Sequence, residues 1–178
     1  MKEICVLDKK FREYISGEAI RNRVSELAEK INADYAGKEV VFVGILNGAF
    51  MFAADLYRLI TAPSRITFVK LASYQGTSSS GSVRELIGWN EDIRNKNIVV
   101  VEDIIDSGNT LERIVDELVI RDVASVRIAA LLLKPDAYEK DIPLDYIGFE
   151  IPNDFVVGYG LDYDGFGRNL PSIYTLIR

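Results

Sequence analysis

The stretch that most constrains the fold is an uninterrupted apolar run at residues 40–46, with the sequence VVFVGIL. It combines β-branched and aromatic residues and carries no charge. Such a run is typical of a strand that is buried on both faces, as strands in parallel sheets are. We therefore expect a mainly parallel sheet flanked by helices.

Further strands alternate with helices along the chain. Apolar residues recur at helical spacing after Ser16, a good N-cap residue, and this pattern ends before Gly37. The alternation indicates an α/β domain with right-handed crossovers, in which ligands gather at the carboxyl ends of the strands. The other predicted strands are at residues 65–71, 97–101 and 126–133, and the predicted helices are at 16–32, 49–60 and 110–121.

The remaining segments are polar or short. No linker, repeat or block of like charge divides the chain, so we expect one domain over residues 1–178. A glycine- and serine-rich stretch between residues 73 and 88 predicts a mobile loop, either a plain surface loop or a lid. Short strands at 146–149 and 155–158 and an aromatic, acidic stretch at 159–168 predict a small cap over the strand ends.

Composition excludes several kinds of chemistry. The chain has no histidine, which removes the commonest general base and the commonest zinc ligand. Catalysis must then use carboxylates, lysine, arginine or backbone amides. The single cysteine, Cys5, can form neither an intrachain disulfide nor a cysteine-based metal site, and this fits a reducing, cytoplasmic location.

Charge and hydropathy narrow the range of partners. A net charge of -6 disfavours binding to nucleic acid, which depends on clustered lysine and arginine. The longest stretch without a charge, residues 40–54, is shorter than the roughly 20 apolar residues of a membrane helix, and no export signal is visible. We therefore expect no nucleic-acid partner and no membrane span, and an anionic ligand would have to be held locally.

One segment has the features of a ligand site. At residues 99–111, VVVEDIIDSGNTL, a predicted strand runs into Glu102 and Asp103, and a short polar loop then opens a helix. Successive amides in such a loop can bind a phosphate, and the helix dipole favours its charge. Gly108 would let the backbone approach the ligand closely. The two carboxylates would suit ribose hydroxyls and a hard cation such as Mg²⁺.

The string VEDIIDSGNTL closely resembles the phosphoribosyl diphosphate (PRPP) signature of type I phosphoribosyltransferases, and it is most similar to that of the hypoxanthine-guanine subfamily. The resemblance extends over nearly the whole chain, with the matches in the same order. ILNGAF at 45–50 looks like the pyrophosphate loop, Ser73-Tyr74 like the flexible-loop pair, LLLKP at 131–135 like the base-contacting strand, and GFEIP at 148–152, FVVGY at 155–159 and LDY at 161–163 like the hood.

The resemblance implies the type I phosphoribosyltransferase fold, with a small hood over the strand ends that is formed by the N-terminal segment and roughly residues 142–178. It implies transfer of a 5-phosphoribosyl group from PRPP to a ring nitrogen of a 6-oxopurine, hypoxanthine and also guanine, giving IMP or GMP and pyrophosphate. Mg²⁺ is the implied cofactor and a homodimer or homotetramer the implied assembly. Such a reaction needs positioning, charge neutralisation and one proton acceptor, and no histidine.

The same resemblance implies a role for individual residues. Glu102 and Asp103 would hold the ribose hydroxyls and Mg²⁺, and Asp106 would face the purine N7 and accept its proton. The 5′-phosphate would lie on Asp106, Ser107, Gly108, Asn109 and Thr110, the purine would contact Lys134, Phe155, Val156 and Asp162, the pyrophosphate would contact Asn47, Gly48, Ser73, Tyr74 and Arg168, and Asp162 would serve a second Mg²⁺.

Asn47 departs from the family pattern, which often has a lysine at this position of the pyrophosphate loop. A positive charge that would meet pyrophosphate is therefore missing. Backbone amides of Asn47, Gly48 and Ala49 could still bind it. The resemblance also implies a cis peptide bond without proline, which we expect between Leu46 and Asn47.

Each of these features also has a plainer interpretation, because short motifs occur by chance. The plainer interpretations are a helix start capped by Asp106 or Ser107 beside solvated acids, a strand-ending surface lysine at Lys134, a core aromatic at Phe155, and a surface ion pair between Asp162 and Arg168.

Functions other than phosphoribosyl transfer fit the sequence less well. A non-catalytic regulator that senses PRPP or nucleotides would share the fold, but the chain has no basic arm for nucleic acid. A phosphoacceptor signalling domain has its acidic pair near the start of the chain and far from its lysine, unlike Glu102 and Lys134. Nucleotide-dependent kinases and dehydrogenases are disfavoured because neither GxxxxGK[ST] nor GxGxxG occurs.

Overall fold

The computed structural model describes residues 2–72, 84–89 and 91–177. Within these residues, ten strands form two sheets and three helices pack with them. The predicted alternation of strands and helices is present in the central part of the chain. The strands are β1 (Glu3–Val6), β2 (Lys9–Ile15), β3 (Val40–Ile45), β4 (Ser64–Ala72), β5 (Arg84–Ile87), β6 (Asn97–Ile105), β7 (Ser125–Leu133), β8 (Tyr146–Glu150), β9 (Val156–Val157) and β10 (Ile173–Leu176), and the helices are α1 (Gly17–Asp34), α2 (Phe50–Tyr57) and α3 (Asn109–Ile120).

The larger sheet has the strand order β5-β4-β3-β6-β7-β8. Its members from β4 to β8 in this order are parallel, and only β5 at the edge is antiparallel. The chain leaves β3 toward β4 on one side and later returns to β6 on the other side. The strand order therefore reverses between β3 and β6, and ligands of open α/β sheets bind at the carboxyl ends of strands at such a point.

The apolar run that predicted the central strand is buried along its whole length in β3. Phe42 and its alternate neighbours face α1 and α2, in a cluster that includes Leu27 and Phe52. Val43 and its alternate neighbours face α3, in a cluster that includes Ile114. Helices thus cover both faces of the sheet, as the absence of polar alternation in this run predicted, and the α/β fold is confirmed.

The helices follow the prediction with small shifts at their ends. Ser16 is the N-cap of α1, and its side-chain oxygen accepts a hydrogen bond from the amide of Ala19 at 3.2 Å. The second helix is shorter than the predicted 49–60. It ends at Tyr57 because the amides of Leu59 and Ile60 bond to carbonyls three residues back, which makes a turn.

Strand β6 is longer than predicted, since it continues to Ile105. Glu102 and Asp103 therefore lie within the strand and not after it. The reason is the neighbouring strand β7. Its Ala130 pairs with Glu102, and the pairing between the two strands continues as far as Ile105 of β6. The periodicity of a single sequence misses such an extension because two carboxylates interrupt the apolar run, while the backbone pairing continues through them.

The smaller sheet is antiparallel, with the order β1-β2-β10-β9. We call residues 2–15 and 151–177, which include this sheet, the hood. The prediction that the cap also contains residues 146–149 is wrong, because this segment is β8, a parallel edge strand of the larger sheet paired with β7. Arg23 of α1 also bonds to the carbonyls of Gly148 and Ile147 there. These pairings join residues far apart in sequence, so a short strand alone does not reveal them.

No helix in the part of the chain that the structure describes is both long and apolar enough to cross a membrane.

Candidate active site

A cleft of about 520 Å³ opens at the carboxyl ends of the parallel strands. It lies between β3 and β6, where the strand order reverses, and the beginning of α3 forms one wall. The topology therefore brings the loop after β3 and the acidic end of β6 to one place. The residues that line it include Leu46, Gly48, Glu102, Asp103, Asn109 and Thr110.

The loop between β6 and α3 has an open helix N-terminus. Gly108 is the N-cap of α3, with a left-handed φ of 85°, and no side chain caps the helix. The alternative of an ordinary start capped by Asp106 or Ser107 is therefore wrong. Because no side chain of the described residues caps the first amides of α3, they can bind an anion, and the helix dipole favours it. A smaller cavity of about 80 Å³ is lined by this loop.

Gly108 is required for a reason that the sequence did not reveal. A Cβ at this position would lie 2.7 Å from the ring of Tyr138 and 2.7 Å from Cγ of Lys140. The hydroxyl of Tyr138 donates to the carbonyl of Ile142 at 2.7 Å, and Lys140 pairs with Glu112 on the first turn of α3 at 2.8 Å. The segment that contains Tyr138 and Lys140 therefore packs against the loop between β6 and α3. Because Gly108 has no side chain, the two can lie in contact.

Glu102 and Asp103 are held where water does not fully solvate their charges. Burial raises the pKa of Glu102 well above its usual value, and the neighbouring charge of Asp103 adds to the effect. Burial also raises the pKa of Asp103 to about 6, against the opposite effects of backbone amides and of Arg168. Both carboxylates would therefore be stabilised as anions by a cation in the cleft.

The donor set fits Mg²⁺ in a particular way. Nowhere in residues 2–72, 84–89 and 91–177 do three or more acidic, histidine or cysteine side chains form a cluster that could hold a metal alone. Mg²⁺ is commonly bound by one or two carboxylates, with substrate phosphates and water completing its shell. Glu102 and Asp103 fit a cation that arrives with its substrate.

The loop after β3 contacts the acidic end of β6. The peptide bond between Leu46 and Asn47 is cis, as expected. No described residue accepts a hydrogen bond from the amide of Asn47 or Gly48. The amide of Ala49, in contrast, donates to the carbonyl of Ile45 at 3.2 Å, so it is not available to a ligand as predicted. Two amides of this loop, and not three, can meet an anion.

Asp106 and Lys134 lie together at the ends of β6 and β7. Nζ of Lys134 is 2.9 Å from Oδ2 of Asp106, and the backbone amide of Lys134 donates to the carbonyl of Ile105 at 2.9 Å. The lysine side chain is only 14% exposed, whereas that of Asp106 is 57% exposed. Lys134 is therefore not a free surface lysine, and the carboxylate can reach a ligand.

The aromatic residue Phe155 is 44% exposed, which excludes an ordinary core position. Its ring contacts Phe11 at a centroid distance of 6.2 Å and the edge of Tyr163 at 5.9 Å. The hydroxyl of Tyr163 donates to Asp8 at 2.9 Å. Val156, the next residue, is buried in β9. The hood therefore presents one supported ring with an open face.

Arg168 and Asp162 form a partly buried pair in the hood, with NH2 of the arginine 2.6 Å from Oδ1 of the aspartate. The other carboxylate oxygen of Asp162 accepts from the amide of Gly165 at 2.6 Å, and NH1 of Arg168 donates to the carbonyl of Gly160 at 2.6 Å. The charges of both side chains act on Asp103. The pair is therefore partly buried and near enough to Asp103 to affect its charge, unlike a loose surface contact.

Two predicted site residues, Ser73 and Tyr74, lie outside the described residues. Other contributors were not predicted. The hood approaches the loop after β3 through Gly160, because a Cβ there would lie 2.1 Å from the carbonyl oxygen of Gly48. The sequence did offer one signal for this close approach, namely the two glycines, Gly158 and Gly160, that flank Tyr159. In the structure both have a positive φ.

The chain is similar in sequence to one family of proteins over most of its length. Residues 12–164 match the phosphoribosyl transferase domain family. The chain is 45% identical over 161 residues to hypoxanthine phosphoribosyltransferase of Salmonella typhimurium, covering 89% of this chain and 90% of that protein. It is 43% identical over 169 residues to hypoxanthine-guanine phosphoribosyltransferase of Mycobacterium bovis, covering 91% and 84%.

Solved structures agree with these sequence relatives. A hypoxanthine-guanine phosphoribosyltransferase from Bacillus anthracis superposes with a TM-score of 0.86 and 39% identity, over 94% of this chain and 97% of that one. A hypoxanthine phosphoribosyltransferase from Staphylococcus aureus superposes with a TM-score of 0.87 and 42% identity, over 93% and 91%.

Proposed function

Because this chain belongs to the phosphoribosyl transferase family, we propose that it transfers the 5-phosphoribosyl group of PRPP to a 6-oxopurine, hypoxanthine and also guanine, in purine salvage. The products are IMP or GMP and pyrophosphate. The observation that carries the proposal is the pairing of Asp106 with Lys134 at 2.9 Å, beside the open N-terminus of α3. That arrangement offers a proton acceptor, a hydrogen-bond donor and an anion site at neighbouring strand ends.

The phosphoribosyl group is held by the end of β6 and the loop after it. The amides and side chains of Ser107, Gly108, Asn109 and Thr110 bind the 5′-phosphate, together with the amide of Asp106, and the dipole of α3 favours its charge. Glu102 and Asp103 accept hydrogen bonds from the ribose hydroxyls. Their pKa values, raised by burial, support a site in which a cation and hydroxyls replace lost water.

The purine lies between the hood and the strand ends. Phe155 stacks on its ring, the backbone of Val156 contacts its edge, and Lys134 donates to the exocyclic oxygen. A ring nitrogen of the purine forms a bond to C1 of the ribose as the bond from C1 to the pyrophosphate oxygen breaks, and the proton on N7 passes to Asp106. The transition state resembles an oxocarbenium ion, so positioning and charge stabilisation lower the barrier more than covalent chemistry.

Pyrophosphate leaves toward the loop after β3. The amides of Asn47 and Gly48 and the guanidinium of Arg168 bind it, and Ser73 and Tyr74 join from the segment that follows β4. Asp162 contributes from the purine side and could ligate a second cation on exchanging its bond with Arg168. Mg²⁺ carried by Glu102, Asp103 and Asp162 would, when bound, neutralise charge that develops on the leaving pyrophosphate.

The direct test is release of pyrophosphate. The protein is incubated with PRPP, Mg²⁺ and, separately, hypoxanthine, guanine, xanthine or adenine, and a reaction without base measures plain hydrolysis. We expect release that depends on a 6-oxopurine and is absent with adenine. Binding of PRPP without release for any base would favour the non-catalytic regulator, an alternative that none of the named relatives supports.

We further propose that the protein is a cytoplasmic homodimer or homotetramer. The single cysteine supports a reducing compartment. One similar structure, at 34% identity, concerns how the C-terminal region of the Trypanosoma cruzi enzyme affects its oligomeric state and activity. Light scattering of the purified chain at several concentrations would give the mass of the assembly, and a monomer at all of them would contradict it.

A further inference from the structure

A hydrogen bond outside the predicted site joins the hood to the helix that follows the Asn47–Gly48 loop. The hydroxyl of Tyr159 donates to Oδ2 of Asp55 at 2.7 Å, between residues that are 104 positions apart. Tyr159 is only 5% exposed. Burial, and then the hydrogen bond to Asp55, raise the pKa of Tyr159, so the hydroxyl stays protonated as the donor.

The acceptor, Asp55, lies on the short helix that follows the Asn47–Gly48 loop. Asp55 belongs to α2, which begins at Phe50, directly after the Asn47–Gly48 loop. The amide of Phe50 donates back to the carbonyl of Asn47 at 3.3 Å. Asp55 lies about one and a half helical turns after Phe50. A shift of Asp55 would therefore also shift the Asn47–Gly48 loop.

The backbone of Tyr159 is held in an uncommon conformation. Its φ is 49°, in the left-handed region that residues other than glycine rarely adopt. Such a conformation persists where its surroundings hold it. The amide of Tyr159 bonds to the carbonyl of Leu170 at 2.8 Å, and the bond to Asp55 holds the other end of the residue. The position of the chain at the next residue, Gly160, follows from both.

Gly160 connects this anchor to the groups that meet pyrophosphate. A Cβ on it would lie 2.1 Å from the carbonyl oxygen of Gly48, so the two backbones are in direct contact. The carbonyl of Gly160 accepts from NH1 of Arg168 at 2.6 Å, and its amide donates to the carbonyl of Arg168 at 2.9 Å. Moving Gly160 would therefore move both the loop and the guanidinium.

We propose that Tyr159 and Asp55 are positioning residues for the pyrophosphate side of the active site, which set the distance between Arg168 and the Asn47–Gly48 loop. The inference rests on the proposed function, since it assigns these groups to pyrophosphate. It extends that function by two residues that do not touch the substrates themselves. On the purine side, the ring of Phe155 contacts Phe11 and Tyr163, and Nζ of Lys134 pairs with Asp106. Neither side chain contacts Tyr159 or Asp55 through these bonds, so we expect the affinity for the purine to change less than the affinity for pyrophosphate.

The test removes one oxygen atom. In Tyr159→Phe we expect binding of inorganic pyrophosphate with Mg²⁺, measured by calorimetry, to weaken about tenfold, because small misplacements of binding groups cost large factors. The KM for PRPP rises similarly, whereas the KM for hypoxanthine stays within about twofold of the wild type, a smaller factor than a lost neutral hydrogen bond produces. A bond that only stabilised the fold would lower the melting temperature without this difference between the two substrates.

A matched control is available at the opposite end of the sheet. Tyr146 is 3% exposed, and its hydroxyl donates to Asp34 at 2.6 Å. Tyr146→Phe also removes a buried bond from tyrosine to aspartate, and we expect it to lower stability and leave pyrophosphate binding unchanged. Equal loss of pyrophosphate binding in both variants would overturn the proposal.

The acceptor provides an independent second test. Asp55→Asn keeps an oxygen that accepts the bond and should bind pyrophosphate nearly as the wild type does, whereas Asp55→Ala should lose affinity as Tyr159→Phe does. Because Asp55 also pairs with Arg58 at 3.4 Å on the surface, Arg58→Ala controls for that contact. If Tyr159→Phe does not fold, the comparison of the two Asp55 variants decides.

The proposed function and this inference fail differently. If the wild type releases no pyrophosphate from PRPP with any base, the function is wrong. If the wild type is active and Tyr159→Phe and Asp55→Ala both bind pyrophosphate with its affinity, the function stands and the positioning role is wrong.

Discussion

The carboxylate of Asp103 occupies the space that a side chain at residue 48 would need. A Cβ built on Gly48 would lie 1.6 Å from Oδ2 of Asp103 and 2.4 Å from its Cγ. Contacts this short require one of the two elements to move. The loop after β3 and the acidic end of β6 are therefore matched at atomic distance, although they lie 55 positions apart in the sequence.

Gly48→Ala should lower kcat/KM by about a hundredfold, because a displaced carboxylate or loop misplaces PRPP by an appreciable fraction of an ångström. Steady-state kinetics with hypoxanthine and PRPP measures the change. Gly37→Ala is the control. That residue also has a positive φ, of 70°, but no neighbour within 4 Å. It should cost roughly 1 kcal/mol of stability and no activity. Normal kinetics in Gly48→Ala would mean that the carboxylate shifts freely and has no fixed role.

Asp106→Asn should lower turnover by a factor on the order of 10² to 10⁴, the usual contribution of general acid–base help. The amide cannot accept the purine proton, while the partly exposed site tolerates the change in shape. Circular dichroism and thermal melting should show an unchanged fold. Asp122→Asn, at a surface pair with Arg94, serves as the control and should be fully active. Turnover within a few-fold of the wild type would contradict the role of Asp106.

Phe155→Leu should raise the KM for hypoxanthine about tenfold, since stacking of a base on an aromatic ring is worth about 1–3 kcal/mol. The KM for PRPP should change little, because the ring contacts Phe11 and Tyr163, which are not among the residues assigned to PRPP. Tyr14→Leu replaces another exposed aromatic residue, on β2, and should leave both constants unchanged. A parallel rise in both constants for Phe155→Leu would point to a distorted hood instead of lost stacking.

Asn47→Lys should restore the charge that the family often has in this loop. We expect pyrophosphate to bind roughly fivefold more tightly, equivalent to about 1 kcal/mol for one additional ion pair near the surface. Calorimetry at low and high salt is the measurement, and the gain should shrink as salt rises. Asn47→Gln, which adds length without charge, is the control. No gain at low salt would show that the residue points away from pyrophosphate.

The acid stability of the fold should depend on Asp34. Its pKa is lowered first by the hydrogen bond from Tyr146 and also by the charges of Arg127 and Lys38. Because the folded pKa lies below the unfolded value, the stabilisation is present above about pH 4 and is lost as the pH falls through the folded pKa.

Melting temperatures measured between pH 6 and pH 2 test this expectation. The melting temperature of Asp34→Asn should fall less than that of the wild type over this interval, and Tyr146→Phe should behave similarly because it removes the main cause of the shift. Equal acid sensitivity in all three proteins would contradict the assignment.

Some features of the site were readable because they are local. The residues at 102–110 that predicted a ligand site are adjacent in the sequence. The apolar run at 40–46 likewise predicted, by itself, a strand that is buried on both faces. The cis peptide bond before Asn47 was expected from the resemblance of that loop alone, and it is present. Local patterns suffice where neighbouring residues act together.

Other features were missed because strands pair with partners that are far away in the sequence. The end of β6 continues through two carboxylates because β7 runs beside it, and β8 joins the larger sheet instead of the hood. The capping alternative at Asp106 and Ser107 failed because Gly108 takes the N-cap position, where Tyr138 and Lys140 leave no room for a Cβ.

The sequence by itself determined the fold class, the family and the residue types of the site, since these follow from local apolar patterns and contiguous motifs. Only the tertiary structure decided which of these residues meet: Asp103 with Gly48, Lys134 with Asp106, and Tyr159 with Asp55. Each pair joins separate elements, and the distance between its members depends on how the sheet, the helices and the hood pack together. Packing of that kind is a property of the whole chain, and no single segment encodes it.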